Sequence, residues 1–492
     1  MKTRYIAYCL PIIFTGCALH APPVQVDAKA PAKWYAPTAV LSAHNAPDNK
    51  IAEELPHHAK LTDLSHWWQQ QHDPLLVELI QAAQAVSPTV ATALSRIEQS
   101  RATRVSAEAA LLPKLDAAIS ATRSNQQAPL PLGTTTQAQL QPSWEVDLFG
   151  GNRAASAAAL ARLQGAQASW HDARVAVAAE VAKTYYDLRT CNKLADVTQA
   201  DASSRGETAR LSTLSTQAGF QAPAVDALAQ ASAAEGRGRA TQQRALCELD
   251  IKALVALTAI EEPALRAKIS AAPLPQVPPM IALDSVPAQT LTQRPDVFVA
   301  EREVAAASAE VGNAEAQRYP RLTLSGSVGV ARFHSQGVNT DLNTWSIGPI
   351  QLTLPLFDGG ARAANVDAAK ARYQEAVASY RGTVRQAVKE VEQALVNLQS
   401  IADRSDDAQI ALQGYQNAFK GSQAQYQNGL ASLTDLEEAR RRQLAAEINA
   451  VTLENDRMSA WIDLYRAVGG GWTNPDRAQQ QAKAQESTQA GQ

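Results

Sequence analysis

Hydrophobic and polar positions change rhythm along this chain, and the changes come in two matching sets. Residues 74–110 and 289–318 are rich in Ala, Glu, Gln and Arg. Pro74 and Pro295 stand near their starts, where a helix has no use for the missing N–H. Both stretches read as helices. The period then becomes two. Leu115, Ala117, Ile119 and Ala121 alternate with mostly polar neighbours, and Leu140, Trp144, Val146 and Leu148 alternate with Gln139, Ser143, Glu145 and Asp147. Leu322, Leu324, Val328 and Val330, then Ile350, Leu352, Leu354 and Leu356, repeat the pattern. This predicts strands over 113–127 and 136–150, and again over 320–335 and 344–358, each with one polar and one apolar face. Long proline-free stretches follow, 67 residues from Asn152 to Ala218 and 69 from Gly360 to Asn428. They predict helices over 152–218 and 360–428, each a rod of about 100 Å at roughly 1.5 Å per residue. Gly219 and Gly429 sit where a helix C-terminus favours a left-handed residue. Return helices are expected over 224–258 and 433–468.

The two sets are an internal duplication. Leu112-Pro113-Lys114-Leu115 reappears as Tyr319-Pro320-Arg321-Leu322, 207 residues on. Phe149 and Phe357 stand 208 apart, and Glu180-Val181 matches Glu390-Val391 as Gly219 matches Gly429, both at 210. A short-period solenoid is excluded, and the repeats span 74–260 and 289–472. Between them, 261–288 carries Pro263, Pro273, Pro275, Pro278, Pro279 and Pro287, which deny it a long helix. Residues 17–73 form an irregular strap, and the polar tail 473–492 has a disordered composition.

Strands of about ten residues with one apolar face have the length and pattern of strands that cross an outer membrane. Four cannot close a barrel, since small membrane barrels begin at eight. Open edges in lipid leave backbone groups unsatisfied, at several kcal/mol each. Ring closure with further copies is therefore implied: eight strands from two chains, twelve from three. The fold class is mainly α with a membrane β-barrel. Composition agrees. Hydrophobic residues make up 46% of the chain but aromatics only 5%, so Ala, Leu and Val carry the apolar count and suit a thin wall of close helices. A net charge of −3, with no polybasic run, gives nucleic acid nothing to bind. Four cysteines in 492 residues exclude a disulfide scaffold.

The N-terminus reads as an export signal over residues 1–16. Lys2 and Arg4 precede a short apolar stretch, Tyr5 to Phe14, too short to span a bilayer. Thr15-Gly16-Cys17 then resembles a bacterial lipobox, with Cys17 acylated as the new N-terminus, although Phe14 stands where Leu is usual. Ordinary signal cleavage nearby is the alternative. Either places the mature chain on the periplasmic side of a Gram-negative envelope, where disulfides are permitted.

Several motifs together carry a family resemblance. They are Gly16-Cys17; Pro142-Ser143-Trp144-Glu145-Val146-Asp147-Leu148-Phe149-Gly150; Arg294-Pro295-Asp296-Val297; Tyr319-Pro320-Arg321-Leu322; Leu354-Pro355-Leu356-Phe357-Asp358-Gly359-Gly360; and Leu464 to Trp472 with its Gly469-Gly470-Gly471 run. Over about 60–475 the chain resembles the outer-membrane efflux duct family (TolC-like), in its NodT-type lipoprotein branch. The resemblance implies a homotrimer, a twelve-stranded barrel in outer-membrane lipid and a helical periplasmic tube. It also implies two partners, a periplasmic adaptor and an inner-membrane pump. The role implied is passive export of small molecules. A lipid-anchored envelope spacer without a pore is the alternative from a different class, and it has no use for four amphipathic strands.

The candidate sites lie around the helical turns. Asp435 and Glu438 are i and i+3 on the second return helix, hence on one face, where acids also suit a helix start. The resemblance gives them the role of periplasmic gate. In a trimer they become six carboxylates around one axis, a setting that raises carboxylate pKa values. Tyr426 and Asp226 fall where family members tie the tip shut. One more residue separates Gly219 from Asp226 than separates Gly429 from Asp435, the first tip contains Pro223, and Ala431 stands where some members carry a locking Arg, so the lock differs here. Cys191 lies 28 residues before Gly219 and Cys247 lies 24 after Pro223, so on antiparallel helices their heights differ by about 6 Å. A bridge and two buried thiols both fit that spacing. His57, His58, His66 and His72 cluster in the strap without one-face spacing, and no metal site is assigned to them. Trp67 and Trp68 read as packing residues, and Glu145 and Asp147 as lining a lumen. No nucleophile–base set, phosphate loop or zinc spacing is found, so neither enzyme activity nor a cofactor is expected.

Overall fold

The computed structural model describes residues 21–28, 31, 35–36, 68, 73–125, 132–273, 291 and 293–472. Cys17, the four strap histidines, Trp67 and the tail lie outside the described residues. Among those described are eight helices and four strands. They run α1 (Pro74–Val86), α2 (Pro88–Ala109), β1 (Lys114–Ser124), β2 (Gly133–Val146), α3 (Gly151–Gln217), α4 (Pro223–Thr258), α5 (Glu262–Ala271), α6 (Pro295–Ala316), β3 (Arg321–Ser335), β4 (Val338–Thr353), α7 (Ala361–Gln427) and α8 (Leu433–Ala467).

Several boundaries differ from the sequence expectation: β2 runs Gly133–Val146 rather than 136–150, and α6 starts at Pro295 rather than 289. The first helix is two, because Pro88 cannot donate into the ladder and Ser87 turns extended to close α1. Within the linker, Glu262 to Ala271 form a short helix with its proline at the start. β4 begins at Val338 rather than 344 and ends at Thr353 rather than 358. The cause is a two-residue turn, Gln336-Gly337, with φ of 50° and 81°. Two positive φ values make the hairpin turn whose twist matches the strands, so β4 starts at once.

The chain divides into two compact units. One comprises residues 1–27, 96–166 and 299–380. It holds the antiparallel sheet, in the order β1-β2-β3-β4. Register puts the apolar side chains of all four strands on one face: Ala117 opposite Leu140, Leu140 opposite Val328, and Val328 opposite Trp345. That face is exposed, with Ile119, Val328, Trp345, Ile347 and Leu352 uncovered. The other face carries Asp116, Gln141, Glu145, Thr323 and Gln351. The helical part of the unit packs on small residues, Ala158 and Ala161 of α3 against Ala306 of α6. Arg162 spans the same pair, to Glu303 at 3.0 Å and Glu310 at 2.6 Å, and these carboxylates hold its guanidinium well above its ordinary value against the cost of burial. Residues 21–28 run along this unit: Ser308 Oγ donates to the Pro22 carbonyl at 2.5 Å and Tyr373 to that of Pro23 at 2.9 Å.

The other unit comprises 28–95, 167–298 and 381–492. Its core joins Leu76 and Leu79 of α1, Val181, Tyr185 and Leu188 of α3, Leu254 of α4, Leu265 of α5, Val391 and Leu395 of α7, and Trp461 and Tyr465 of α8. Two motifs find their reason in this unit. Arg294 is buried and reaches Asp296 and Glu390, both at 2.7 Å, and the Ala467 carbonyl at 2.8 Å. Gly469 and Gly470 take φ of 93° and 60° where a Cβ would stand 2.7 Å from the Gln293 carbonyl and 2.5 Å from Val175.

Candidate functional site at the helical turns

Each long helix ends alike. Gly219 and Gly429 adopt φ of 78° and 72°. Phe220 N–H donates to the Ser215 carbonyl and Leu430 N–H to that of Gln425, closing both ends with a Schellman pattern. Phe220 and Leu430 themselves are strongly exposed.

The return helices begin differently. α4 has Pro223 in its first turn and no side-chain cap. Its Asp226 accepts from Thr213 Oγ1 at 2.7 Å, and Gln230 donates to the same hydroxyl at 2.7 Å. α8 has a reciprocal cap. Asp435 N–H donates to Ser432 Oγ at 3.2 Å, and Asp435 Oδ2 accepts from Ser432 N–H at 3.0 Å and from Ser432 Oγ at 2.6 Å. The Ser432 hydroxyl, and then its backbone N–H, hold the Asp435 carboxyl below its usual range.

Asp435 is exposed and Glu438, one turn on, is half-buried. Arg441 donates to Glu438 Oε2, and Arg442 Nε to Oε1 at 2.9 Å. The second carboxylate therefore carries its own counter-charges. Tyr426 packs against the apolar cluster of Ala209, Ala229, Ala233, Leu433 and Leu436. No hydrogen bond joins it to Asp226 among the described residues; the Asp226 carboxylate is tied within its own hairpin. Cys191 of α3 and Cys247 of α4 are bonded as a disulfide, their Cα atoms 5.4 Å apart. The helices are offset so that residues counted as 6 Å apart in height stand level. The Asp147 carboxylate accepts from the N–H groups of Asn152 and Arg153 and caps the start of α3.

Sequence reasoning missed the most buried polar feature near the turns. Arg205 of α3 donates to Asp201 at 2.9 Å, to Ser232 of α4 at 2.6 Å and to Glu437 of α8 at 2.8 Å. Ser232 donates to Glu437 Oε2 at 2.6 Å. Arg440 of α8, 2% exposed, donates to Glu437 Oε1, to Ser204 at 3.2 Å and to Thr208 at 3.0 Å, and lies over the Phe419 ring of α7. Burial pulls the Arg440 guanidinium down and Glu437 draws it back up. This cluster joins both helical hairpins of one chain. Its one sequence signal was Gly236 inside α4, a residue that mid-helix usually marks close packing: a Cβ there would meet Arg205 Cδ at 2.8 Å. Among the described residues no group of three or more His, Cys, Asp or Glu side chains is arranged to hold a metal.

Comparison with known proteins agrees with this architecture. The model of one protein family, described as "Outer membrane efflux protein", matches residues 79–259 and 286–470. Nodulation protein T of Rhizobium leguminosarum bv. viciae is 29% identical over 96% of this chain and 94% of its own length. Outer membrane protein OprJ of Pseudomonas aeruginosa is 31% identical over 81% of this chain and 85% of its own. The crystal structure of the Campylobacter jejuni CmeC outer membrane channel superposes with a TM-score of 0.82 at 23% identity, covering 95% of this chain and 98% of that one.

Proposed function

Since this chain belongs to the outer membrane efflux protein family, we infer that it is the outer-membrane exit channel of a tripartite efflux system, a passive duct through which small molecules handed over in the periplasm leave the cell. The observation that carries the reading is the sheet. Four antiparallel strands of 11 to 16 residues expose one continuous apolar face, and β1 and β4 each pair on one side only, as the two edges of the sheet. In water that face is a liability. In lipid it is a membrane wall, provided that its edges close. Three copies supply twelve strands, enough to leave an open lumen lined by the Gln, Ser and Thr of the opposite face. Cys17 supplies the lipid anchor. The segment from Ala21 to Ala28, which follows it by a few residues, lies along α6 and α7.

At the turns, three copies bring Asp435 and Glu438 to one axis, where they form the periplasmic gate. A periplasmic adaptor is the partner at this end, and an inner-membrane pump supplies the cargo and the energy. The duct needs no catalytic group. A pore-free spacer is disfavoured by the same sheet, since it would have to hide an apolar face it never uses.

Reconstitution in a planar bilayer tests the reading. The purified protein is expected to migrate as a heat-dissociable trimer and to open ion-conducting channels. The Asp435→Ala/Glu438→Ala variant is expected to conduct more and to lose the parent's response to divalent cations. A soluble, non-conducting monomer would sink the duct; unchanged conduction in the double variant would sink the gate alone.

A further inference from the structure

In the unit that holds residues 28–95, 167–298 and 381–492, a recess of about 460 Å³ opens between α1, α3 and the chain that follows α8. Small-molecule sites have volumes of this order. Trp68, Ile80, Val175, Tyr465 and Trp472 give it apolar walls. The aromatic walls are fixed from behind. Trp68 meets Tyr465 edge-on with ring centroids 4.9 Å apart, Trp472 lies against Phe298 at 5.3 Å, and the Tyr465 hydroxyl donates to the Gly470 carbonyl at 3.0 Å.

The polar lining is Gln81, Gln84, His171 and Arg174, and it contains no carboxylate among the described residues. Arg174 is positioned by two neighbours. Its Nε and Nη2 donate to Gln84 Oε1, both at 3.3 Å, and its guanidinium lies 4.9 Å from the Trp170 ring centroid. Gln84 Nε2 donates back to the Arg174 carbonyl at 3.0 Å. Among the described residues Nη1 has no acceptor and Arg174 has no carboxylate partner. Glu78, the acid of α1, is paired with Lys268 at 2.8 Å instead. Burial, and then Arg174 itself, holds the His171 imidazole below its ordinary value, so at neutral pH Arg174 is the one positive charge among the described lining residues. The duplication supplies a comparison. The shift of 210 that relates Glu180 to Glu390 relates Arg174 to Val384, which is 2% exposed. The same place in the other long helix is filled by a buried valine, so the scaffold itself asks for no cation there.

We propose that this recess binds an aromatic monocarboxylate. The carboxylate takes the Nη1 side of the Arg174 guanidinium, and the ring lies among Trp68, Tyr465 and Trp472. Charge decides the anion. A planar guanidinium donates to a carboxylate in pairs, and such charge-assisted bonds are the strong ones. An uncharged or cationic ligand would leave Arg174 without a counter-charge, and a dianion would bring a second charge with no cation to meet it. The walls decide the body, because aromatic side chains favour a flat apolar partner stacked or edge-on. Binding at this place needs neither a lumen nor a second copy of the chain.

The test is fluorine NMR line broadening of para-trifluoromethylbenzoate by the full chain, purified in an uncharged detergent, with empty micelles as the blank. The parent is expected to broaden the benzoate signal saturably. The matching benzamide has the same body without the charge and is expected to bind about tenfold more weakly, an arm that needs no variant. Arg174→Met keeps a long side chain but no charge, and should weaken the benzoate about tenfold while leaving the benzamide unchanged. Arg174→Lys keeps the charge but not the planar fork, and should fall between. A parent that broadens the benzoate no more than empty micelles do, or that binds the benzamide as tightly as the benzoate, would overturn the site. So would an Arg174→Met variant with the parent's affinity for the benzoate. None of these readouts involves conduction, so the site and the duct stand or fall separately.

Discussion

Gly219 and Gly429 end two helices of 67 residues with the same left-handed residue and the same backbone bonds, yet the hairpins they close are held in different ways. The first has a proline start, no side-chain cap and a disulfide between its two helices. The second has a reciprocal Ser432–Asp435 cap and no cysteine. The positions one repeat on from Cys191 and Cys247 are Ile401 and Arg457. One copy of the duplication is stapled covalently, and the other depends on packing, a cap and ion pairs. The two meet through the buried charges of Arg205, Glu437 and Arg440. The lesson is mechanical. If a tip opens by moving one hairpin against the other, α7 and α8 are the pair with the weaker internal restraint, and the buried cluster is the bond that must yield first.

The largest effect is expected at that bond. Glu437→Leu leaves Arg205 and Arg440 buried beside each other with Asp201 as the remaining acid. Removing one partner of a buried ion pair costs roughly 3–5 kcal/mol. Thermal melting of the purified channel should fall accordingly, and its open probability in a bilayer should rise. Adding Arg440→Leu should recover part of the loss, because the second change removes the uncompensated charge. A single variant as stable and as closed as the parent would mean that the cluster does not join the hairpins.

Next comes the staple. Cys191→Ser/Cys247→Ser releases a loop of 56 residues, for which chain entropy gives about 2–4 kcal/mol. The comparison is sharp here: stability should drop without a matching rise in open probability, because the bond lies inside one hairpin and not between the two. A double variant that leaks as freely as Glu437→Leu would erase the distinction.

The caps come third. Ser432→Ala should cost about 1 kcal/mol and loosen the second turn. Ala222→Ser, at the uncapped start of α4, should gain a similar amount in the first. Amide exchange at residues 432–436 and 222–226 reads each locally. Equal and opposite shifts are expected, and a silent Ser432→Ala would show that packing of Leu433 and Leu436 holds α8 without its cap.

Much of this architecture could be read from the chain because two periods are written twice. Leu322 and Leu324 repeat the lesson of Leu115 and Ala117, and long stretches without proline, each ended by Gly, leave little but helix. What was misread depended on single residues acting at short range. Gln336-Gly337 makes so tight a turn that the residues after it, Val338 to Asn343, four of them polar, already belong to β4. Pro88 breaks a helix whose composition runs on unchanged. The buried cluster was hidden for a different reason. Asp201 and Arg205 at i, i+4, and Glu437 and Arg440 at i, i+3, look like ordinary surface pairs. Only the approach of α8 to α3 removes them from water, and neither helix states that approach by itself.

The smallest effect in stability decides most about the gate. The Ser432 cap holds the Asp435 carboxyl below its ordinary range, so its contribution is fully present above the unfolded pKa near 3.9 and is lost as pH falls through the depressed value. Carboxylates brought together around one axis act in the other direction and raise the pKa. The two causes separate on one measurement, the pH dependence of open probability, with Asp435→Asn as the reference that lacks the titration. A midpoint below about 3.9 means that Asp435 is chiefly a helix cap in the assembled channel, and the gate charge must be sought elsewhere. A midpoint above it means that three copies stand close enough to repel one another, as a gate requires. Glu438→Gln should shift that midpoint little, because Arg441 and Arg442 already balance the charge it removes.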